Sequence, residues 1–180
     1  RQRQMCIRDR LINTKYPIKI IGDKSLSKRD FTRVTKPLSK FGVKFKLNNG
    51  KNLPLTIFGS QKLKSIKYTE KKGSAQCKSS VLLGGMRASG TTIIKAKKSR
   101  NHTEILCKYL NLPISIKTKK NYDEIKIDKV KTVQPLNYNI PSDMSSSAFF
   151  IVLTALSSNS ELVIKLSLIH ISEPTRQQGI

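Results

Sequence analysis

One predicted helix start carries the residue types that bind phosphate or carboxylate groups. Ser74-Ala75-Gln76-Cys77-Lys78 supplies a hydroxyl, an amide and an ammonium directly before an apolar stripe at Leu82, Leu83 and Met86. This spacing predicts a helix with one buried face and with Ser74 at its N-cap. Because a helix N-terminus has free N–H donors and a partial positive charge, it favours bound anions. The polar end of this helix is therefore a candidate anion site.

Two further segments combine hydroxyl and cationic side chains at predicted helix starts. They are Ser25-Leu26-Ser27-Lys28-Arg29 and Ser99-Arg100-Asn101-His102-Thr103-Glu104. Arg presents a planar fork to a carboxylate or phosphate, and Lys presents a point charge. We interpret each segment as a capping hydroxyl beside an anion-binding cation. His102 is interpreted as a structural residue, because the sequence shows no partner that would orient it as a base.

The elements that must position these segments form a repeated pattern of strands and helices. Hydrophobic periodicity predicts strands at 17–21, 43–47, 53–58, 63–68, 91–95, 114–117, 125–127 and 162–164, and helices at 31–41, 74–87, 101–110 and 143–155. The second block has the order β-α-β-α-β-β, the first ends as β-α-β-β, and a third opens at Asp143. The fold class predicted is mixed α/β (α+β).

The charge of the chain suits anionic partners. Basic residues number 35 against 11 acidic ones. The lysines are scattered singly and the chain has no Trp, whereas single-stranded nucleic acids are bound by basic grooves with aromatic stacking platforms. An anionic small substrate is the preferred interpretation, and a basic nucleic-acid-binding protein remains the alternative. No apolar run approaches the roughly 20 residues of a membrane helix, and the unpaired Cys77 and Cys107 favour a reducing cytoplasm.

The two ends have a separate explanation. Residues 4–10 and 166–172 can be encoded by one DNA sequence read in opposite orientations. That DNA is similar to a transposon-type sequencing adapter, and 173–176 fit its continuation. We therefore expect residues 1–10 and 166–180 to be adapter-like artefacts and 11–165 to be an internal fragment, with Cys6 and His170 carrying no chemistry.

The motifs, in order and spacing, resemble the 5-enolpyruvylshikimate-3-phosphate synthase family over residues 15–165. The residues that carry the resemblance are Gly22 to Arg29, Arg33-Val34, Ser74 to Ser79 with Leu82-Leu83, Ser99 to Glu104, and Asp143 with Ser145-Ser146 and Phe149-Phe150. The resemblance implies an enolpyruvyl transferase fold, with two inside-out α/β barrel domains built from βαβαββ units. The fragment would then contain part of the first domain at 11–139 and the start of the second at 140–165, with a crossover near 139–142.

The resemblance also implies a reaction in the shikimate pathway of aromatic amino-acid biosynthesis. The 5-hydroxyl of shikimate 3-phosphate attacks C2 of phosphoenolpyruvate and phosphate leaves, with no metal or organic cofactor. Carried over by position, Arg29 and Gln76 contact phosphoenolpyruvate. Ser74, Ala75, Gln76, Ser99 and Arg100 contact shikimate 3-phosphate. The resemblance further implies a cytoplasmic enzyme that is a monomer when complete, with no nucleic-acid or membrane partner.

Departures from the family pattern limit these expectations. Asp30 stands where Pro is usual, Asn101 replaces an Asp, and Ser142 replaces a Gly. Asp30 would weaken an anion-binding Arg29 unless its carboxylate points away. The family's other substrate-binding and acid–base motifs fall outside the chain, so we expect no catalytic residue within it and an inactive fragment. UDP-N-acetylglucosamine enolpyruvyl transferase, which shares the fold, is the second alternative.

Overall fold

The first block of the chain is a small antiparallel sheet with two helices. In the computed structural model, which describes residues 11–137 and 144–164, a short 3-10 helix at Leu11–Asn13 precedes all other elements. The elements that follow are β1 (Ile18–Ile20), α1 (Lys24–Ser27), α2 (Thr32–Ser39), β2 (Lys44–Asn48) and β3 (Asn52–Phe58). The sheet order is β1-β3-β2, with both pairings antiparallel.

The turn between β2 and β3 follows from its sequence. Asn49 and Gly50 have φ values of 49° and 69°, and the Lys51 N–H donates to the Asn48 carbonyl at 3.1 Å. Two central residues with positive φ define a type I′ turn, which matches the twist of the flanking strands and which Asn and Gly adopt readily. The predicted hairpin is confirmed.

The second block contains the predicted repeat in full. It consists of β4 (Lys67–Glu70), α3 (Ala75–Gly85), β5 (Thr92–Lys97), α4 (His102–Tyr109), β6 (Ile114–Thr118) and β7 (Tyr122–Ile127). The sheet order is β4-β5-β7-β6, with β4 and β5 parallel and β7 antiparallel to both neighbours. The order β-α-β-α-β-β is confirmed.

Helix α3 packs against both blocks, and two glycines at its end make this possible. A Cβ on Gly84 would lie 3.0 Å from Cε2 of Phe41 in the first block. A Cβ on Gly85 would lie 2.8 Å from Cγ2 of Ile127 in the second. One hydrophobic core consequently includes residues of both blocks, among them Phe41, Leu55, Val81, Leu82, Ile94, Ile125 and Ile127.

The chain divides into two compact units between Gln134 and Pro135. The second unit contains α5 (Met144–Leu156), close to the predicted helix at 143–155. Asp143 and the predicted crossover at 139–142 lie outside the described residues.

Two expectations about local structure were wrong, and one short helix was not predicted. Residues 162–164 form no strand, because their short apolar run meets no partner strand in the described part of the second unit. β4 begins at Lys67, not at residue 63. Leu63 is buried, but its carbonyl accepts from the Ser89 backbone N–H instead of joining a ladder. Helix α1 was not predicted, because four residues give no periodic signal.

No helix within the described ranges is both long enough and apolar enough to cross a membrane.

Candidate anion-binding site

Two of the predicted segments lie side by side at one edge of the second sheet. Because β4 and β5 are parallel, their carboxyl ends meet at the same edge. The chain leaves β4 through Gly73 into α3, and leaves β5 through Ser99 and Arg100 into α4. A Cβ on Gly73 would lie 3.5 Å from the Lys98 carbonyl oxygen, so the two loops are in van der Waals proximity. The fold thus brings Ser74, Ala75 and Gln76 beside Ser99 and Arg100.

Ser74 is the N-cap of α3, as its position predicted. Its backbone is extended, with φ −85° and ψ 104°, and its Oγ accepts from the Cys77 N–H at 3.3 Å. Ala75 and Gln76 are the first two residues of the helix, and all three are half-buried. One of the free N–H groups of this helix start is therefore capped internally, and the others remain donors toward the loop.

Glu70 holds the loop before this helix, a role that the sequence interpretation missed. Its Oε1 accepts from the Lys72 N–H at 2.9 Å, and its Oε2 accepts from the Gly73 N–H at 2.6 Å. The side chain is buried, with 5% of the residue exposed. Those two backbone donors are thus occupied, so an anion must be bound by α3 and by side chains. The sequence feature that could have indicated this role is a carboxylate at the end of a strand, three residues before a Gly.

The third segment begins differently from its prediction. The N-cap of α4 is Asn101, whose side chain makes no capping hydrogen bond. Ser99 lies two residues earlier, so its predicted capping role is wrong. Its Oγ is enclosed and has no hydrogen-bond partner among the described residues, whereas Arg100 is exposed. The exposed Arg100 guanidinium is therefore open to a ligand, whereas the enclosed Ser99 hydroxyl still lacks a hydrogen-bond partner.

Arg29 lies at the end of α1 instead of at a helix start. The N-cap of α1 is Asp23, whose Oδ1 accepts from the Leu26 N–H at 2.6 Å, so the predicted capping by Ser25 is wrong. The Arg29 carbonyl accepts from Nδ2 of Asn52 at 3.1 Å, which ties the backbone to β3. The Arg29 side chain is exposed.

The Asp30 carboxylate is engaged by the start of α2. Its Oδ1 accepts from the Thr32 hydroxyl at 2.6 Å and from the Thr32 N–H at 2.7 Å. The hydrogen bond from the Thr32 hydroxyl has the larger effect and the bond from the Thr32 N–H the smaller, and both lower the pKa of Asp30 below its ordinary value of 3.8. Within 11–137 and 144–164, Asp30 forms no ion pair with Arg29. The carboxylate is therefore directed toward Thr32.

A contact joins α2, which follows the Arg29 segment, to the first turn of α3, which follows Ser74. Pro37 lies inside α2 and has no N–H, so the Arg33 carbonyl lacks its usual helix donor. The Cys77 Sγ donates to that carbonyl at 3.3 Å. The beginning of α2, four residues after Arg29, is thus joined to the first turn of α3.

Lys78 is not available to an anion, contrary to the interpretation of its segment. The side chain is fully buried, and its Nζ lies 2.6 Å from Oε1 of Glu104 on α4. Neither Nζ nor Glu104 Oε2 has a hydrogen-bond partner elsewhere in the described part of the chain. The spacing of residues in the sequence does not indicate this ion pair, because Lys78 and Glu104 lie on different helices.

Cys107, three residues after Glu104, is predicted to be an unreactive thiol. Burial, and then the Glu104 charge, raise its pKa from 9.0 to about 11. Since the thiolate is the nucleophile, alkylation by iodoacetamide at pH 8 should be about 100-fold slower than for an ordinary exposed thiol. Peptide mass spectrometry after timed labelling measures this rate. Labelling of Cys107 in the folded chain as fast as in urea would contradict the prediction.

A cleft of the second block lies away from these residues. It has a volume of about 520 Å³ and is lined by Thr91, Ile93, Leu112, Pro113, Ile114, Ser115, Lys126 and Asp128. These residues surround the beginning of β5 and the end of β7, at the opposite edge of the sheet. The candidate site is the loop edge at Ser74 and Ser99, which this cleft does not include.

A family model described as EPSP synthase (3-phosphoshikimate 1-carboxyvinyltransferase) matches residues 8–175. The chain belongs to the EPSP synthase family. The 3-phosphoshikimate 1-carboxyvinyltransferase of Caldicellulosiruptor bescii is 39% identical over 159 residues, which are 87% of this chain and 36% of that protein. The enzyme of the same name from Hydrogenovibrio crunogenus is 38% identical over 160 residues, covering 83% and 34%.

A solved structure shows the same fold. EPSP synthase from Acinetobacter baumannii superposes with a TM-score of 0.69 and 34% identity, over 84% of this chain and 34% of that one. The predicted enolpyruvyl transferase fold is confirmed. The chain spans about a third of the length of the EPSP synthases that it matches.

Proposed function

We propose that the complete protein transfers the enolpyruvyl group of phosphoenolpyruvate to the 5-hydroxyl of shikimate 3-phosphate. The hydroxyl oxygen loses its proton and bonds to C2 of phosphoenolpyruvate while C3 takes up a proton, which gives a tetrahedral intermediate. C3 then loses a proton as the C–O bond to phosphate breaks, and the carbon–carbon double bond is restored. Membership of the EPSP synthase family supports this reaction. In this chain, the proposal is supported by one observation: the Ser74 helix start and the Ser99–Arg100 loop are adjacent.

The two adjacent loops suit the phosphate of shikimate 3-phosphate. The α3 N-terminus offers backbone donors and a partial positive charge, and Arg100 offers a bidentate fork. We assign Ser74, Ala75, Gln76, Ser99 and Arg100 to this substrate. We propose that the loop rearranges around the phosphate, so that the Ser99 hydroxyl, which is enclosed and lacks a hydrogen-bond partner among the described residues, gains one.

Phosphoenolpyruvate is assigned to Arg29 and Gln76. Arg29 is exposed, and its neighbour Asp30 is directed toward Thr32, which leaves the guanidinium able to pair with a carboxylate or phosphate. Gln76 precedes Cys77 on the α3 turn that the Cys77–Arg33 contact joins to α2. It is therefore the residue we assign to both substrates. The acid–base groups of the reaction are assigned to parts of the protein outside this chain.

The remaining properties are proposed for the whole enzyme. We assign 11–139 to the first domain and 140–165 to the start of the second, with residues 1–10 and 166–180 as adapter-like ends. The enzyme is proposed to be cytoplasmic and monomeric, and to use no metal or organic cofactor. Shikimate 3-phosphate and phosphoenolpyruvate are its proposed partners.

The test uses the protein expressed from an uninterrupted reading frame that contains 11–165. We expect phosphate release from phosphoenolpyruvate to require shikimate 3-phosphate, and the product to carry the enolpyruvyl group on its 5-oxygen by NMR. UDP-N-acetylglucosamine and duplex DNA are the controls. Phosphate release that depends on the UDP-sugar, or salt-sensitive DNA binding without response to shikimate 3-phosphate, would refute the proposal.

A further inference from the structure

A buried ion pair joins the two helices whose beginnings form the candidate site. Lys78 Nζ lies 2.6 Å from Glu104 Oε1, and the two side chains are 0% and 4% exposed. Lys78 is on α3, four residues after Ser74, and Glu104 is in the first turn of α4, four residues after Arg100. The pair thus lies one helical turn beneath both loops.

A second polar contact runs parallel to the ion pair. The hydroxyls of Ser79 and Thr103, the residues adjacent to Lys78 and Glu104, are 2.8 Å apart. Two neighbouring cross-links between the same helix turns define both the separation of the helices and their rotation about their axes.

A contribution to stability does not by itself explain why a charged pair, Lys78 and Glu104, lies between α3 and α4. Burying two ions costs desolvation energy that their attraction offsets only in part, and apolar replacements of similar volume are often as stable. Apolar side chains such as Val81 and Leu82 already fill the surrounding core. A cation near the positive end of α3 is also electrostatically unfavourable, unless an anion such as Glu104 compensates it.

We propose that Lys78 and Glu104 are a positioning pair that holds the Ser74 helix start and the Ser99–Arg100 loop at the separation required by the phosphate of shikimate 3-phosphate. The proposal rests on the function proposed above for these two loops. Both side chains are enclosed, so they act through the loops and not by touching the substrate. An apolar contact in their place would fill the volume without fixing the direction of approach, and the helices could slide.

The test compares the 180-residue chain with the double variant Lys78→Met/Glu104→Leu, which keeps side-chain volume and leaves no lone charge. We expect its thermal midpoint to stay within a few degrees of the unsubstituted chain. The dissociation constant for shikimate 3-phosphate, measured by calorimetry, should rise about tenfold as the loops lose their spacing. Amide hydrogen exchange at 71–75 and 98–101 should accelerate.

The matched control removes a partly exposed ion pair on β7. Glu124 and Lys126 are 3.8 Å apart, with side chains 19% and 42% exposed. Glu124→Gln/Lys126→Met should change neither affinity nor loop exchange. The swapped variant Lys78→Glu/Glu104→Lys restores an ion pair, and it should bind more tightly than the apolar variant.

Two outcomes would overturn the positioning role. One is a folded apolar variant with unchanged affinity and unchanged exchange at both loops. The other is an apolar variant that unfolds, since the pair would then serve stability. If the unsubstituted chain does not bind shikimate 3-phosphate, the assignment of the loops to that substrate fails in this chain. The exchange rates at 71–75 and 98–101 would still decide whether the pair couples the loops.

Discussion

Lys78→Met alone should lower the free energy of unfolding by about 3–5 kcal/mol, because it leaves the Glu104 carboxylate buried without a partner. Glu104 is 3% exposed, and Oε2 already lacks a hydrogen bond among the described residues. A typical domain has a stability of about 5–15 kcal/mol, so this single change removes a large share of it. Urea unfolding followed by circular dichroism measures the difference.

The surface pair provides the comparison for this variant. Lys126→Met removes the cation of a partly exposed pair with a longer separation, and surface pairs contribute about 0–1 kcal/mol. Adding Glu104→Leu to Lys78→Met should recover most of the lost stability, because the lone charge disappears. Equal destabilisation by Lys78→Met and Lys126→Met would show that the buried pair is not an electrostatic unit.

Arg100→Ala should weaken the binding of shikimate 3-phosphate to this chain by about 10–100-fold. A charge-assisted hydrogen bond between a guanidinium and a phosphate contributes about 1.5–3 kcal/mol, and Arg100 lies in the loop beside the α3 N-terminus. Because the side chain is exposed, its removal should leave the fold unchanged. Calorimetric titration gives the affinity, and the thermal midpoint verifies the fold.

Two other arginines serve as controls. One tests whether the position of the arginine matters, and the other tests whether Arg29 is specific to phosphoenolpyruvate. Arg87 is exposed just beyond the far end of α3, and Arg87→Ala should not change the affinity. Arg29→Ala should alter shikimate 3-phosphate binding by less than about threefold, since Arg29 is assigned to phosphoenolpyruvate. An equal loss in all three variants would indicate a general charge effect of a strongly basic chain.

The helix starts show where sequence interpretation succeeded and where it did not. Ser74 was recognised as a cap because its signal is local: a hydroxyl stands directly before a periodic apolar stripe. The same argument was wrong for Ser25 and Ser99, because Asp23 caps α1 and Asn101 occupies the cap position of α4. Capping depends on the dihedral angles of one residue, and several polar residues in succession leave that residue undetermined.

Three interactions were missed altogether, and two of them join distant parts of the chain. None of these interactions produces a periodic pattern in the sequence. They are the hydrogen bonds from the loop before Ser74 to Glu70, the bond from Cys77 to the Arg33 carbonyl, and the ion pair of Lys78 with Glu104. Pro37 indicated that a carbonyl of α2 lacks its donor, but not which residue would supply one. Each partner is chosen by packing, and packing is a property of the assembled core.

The sequence itself determines three features of the protein. Hydrophobic periodicity determines the order of strands and helices, backbone preference determines the Asn49–Gly50 turn, and motifs in a fixed order determine the family. Tertiary structure alone decided that Ser74 and Arg100 are neighbours, since only the parallel pairing of β4 with β5 places their loops at one edge. It also decided that Lys78, a cation in an anion-binding segment, faces inward. Burial among α3, α4 and the core turns that charge toward Glu104 instead of a ligand.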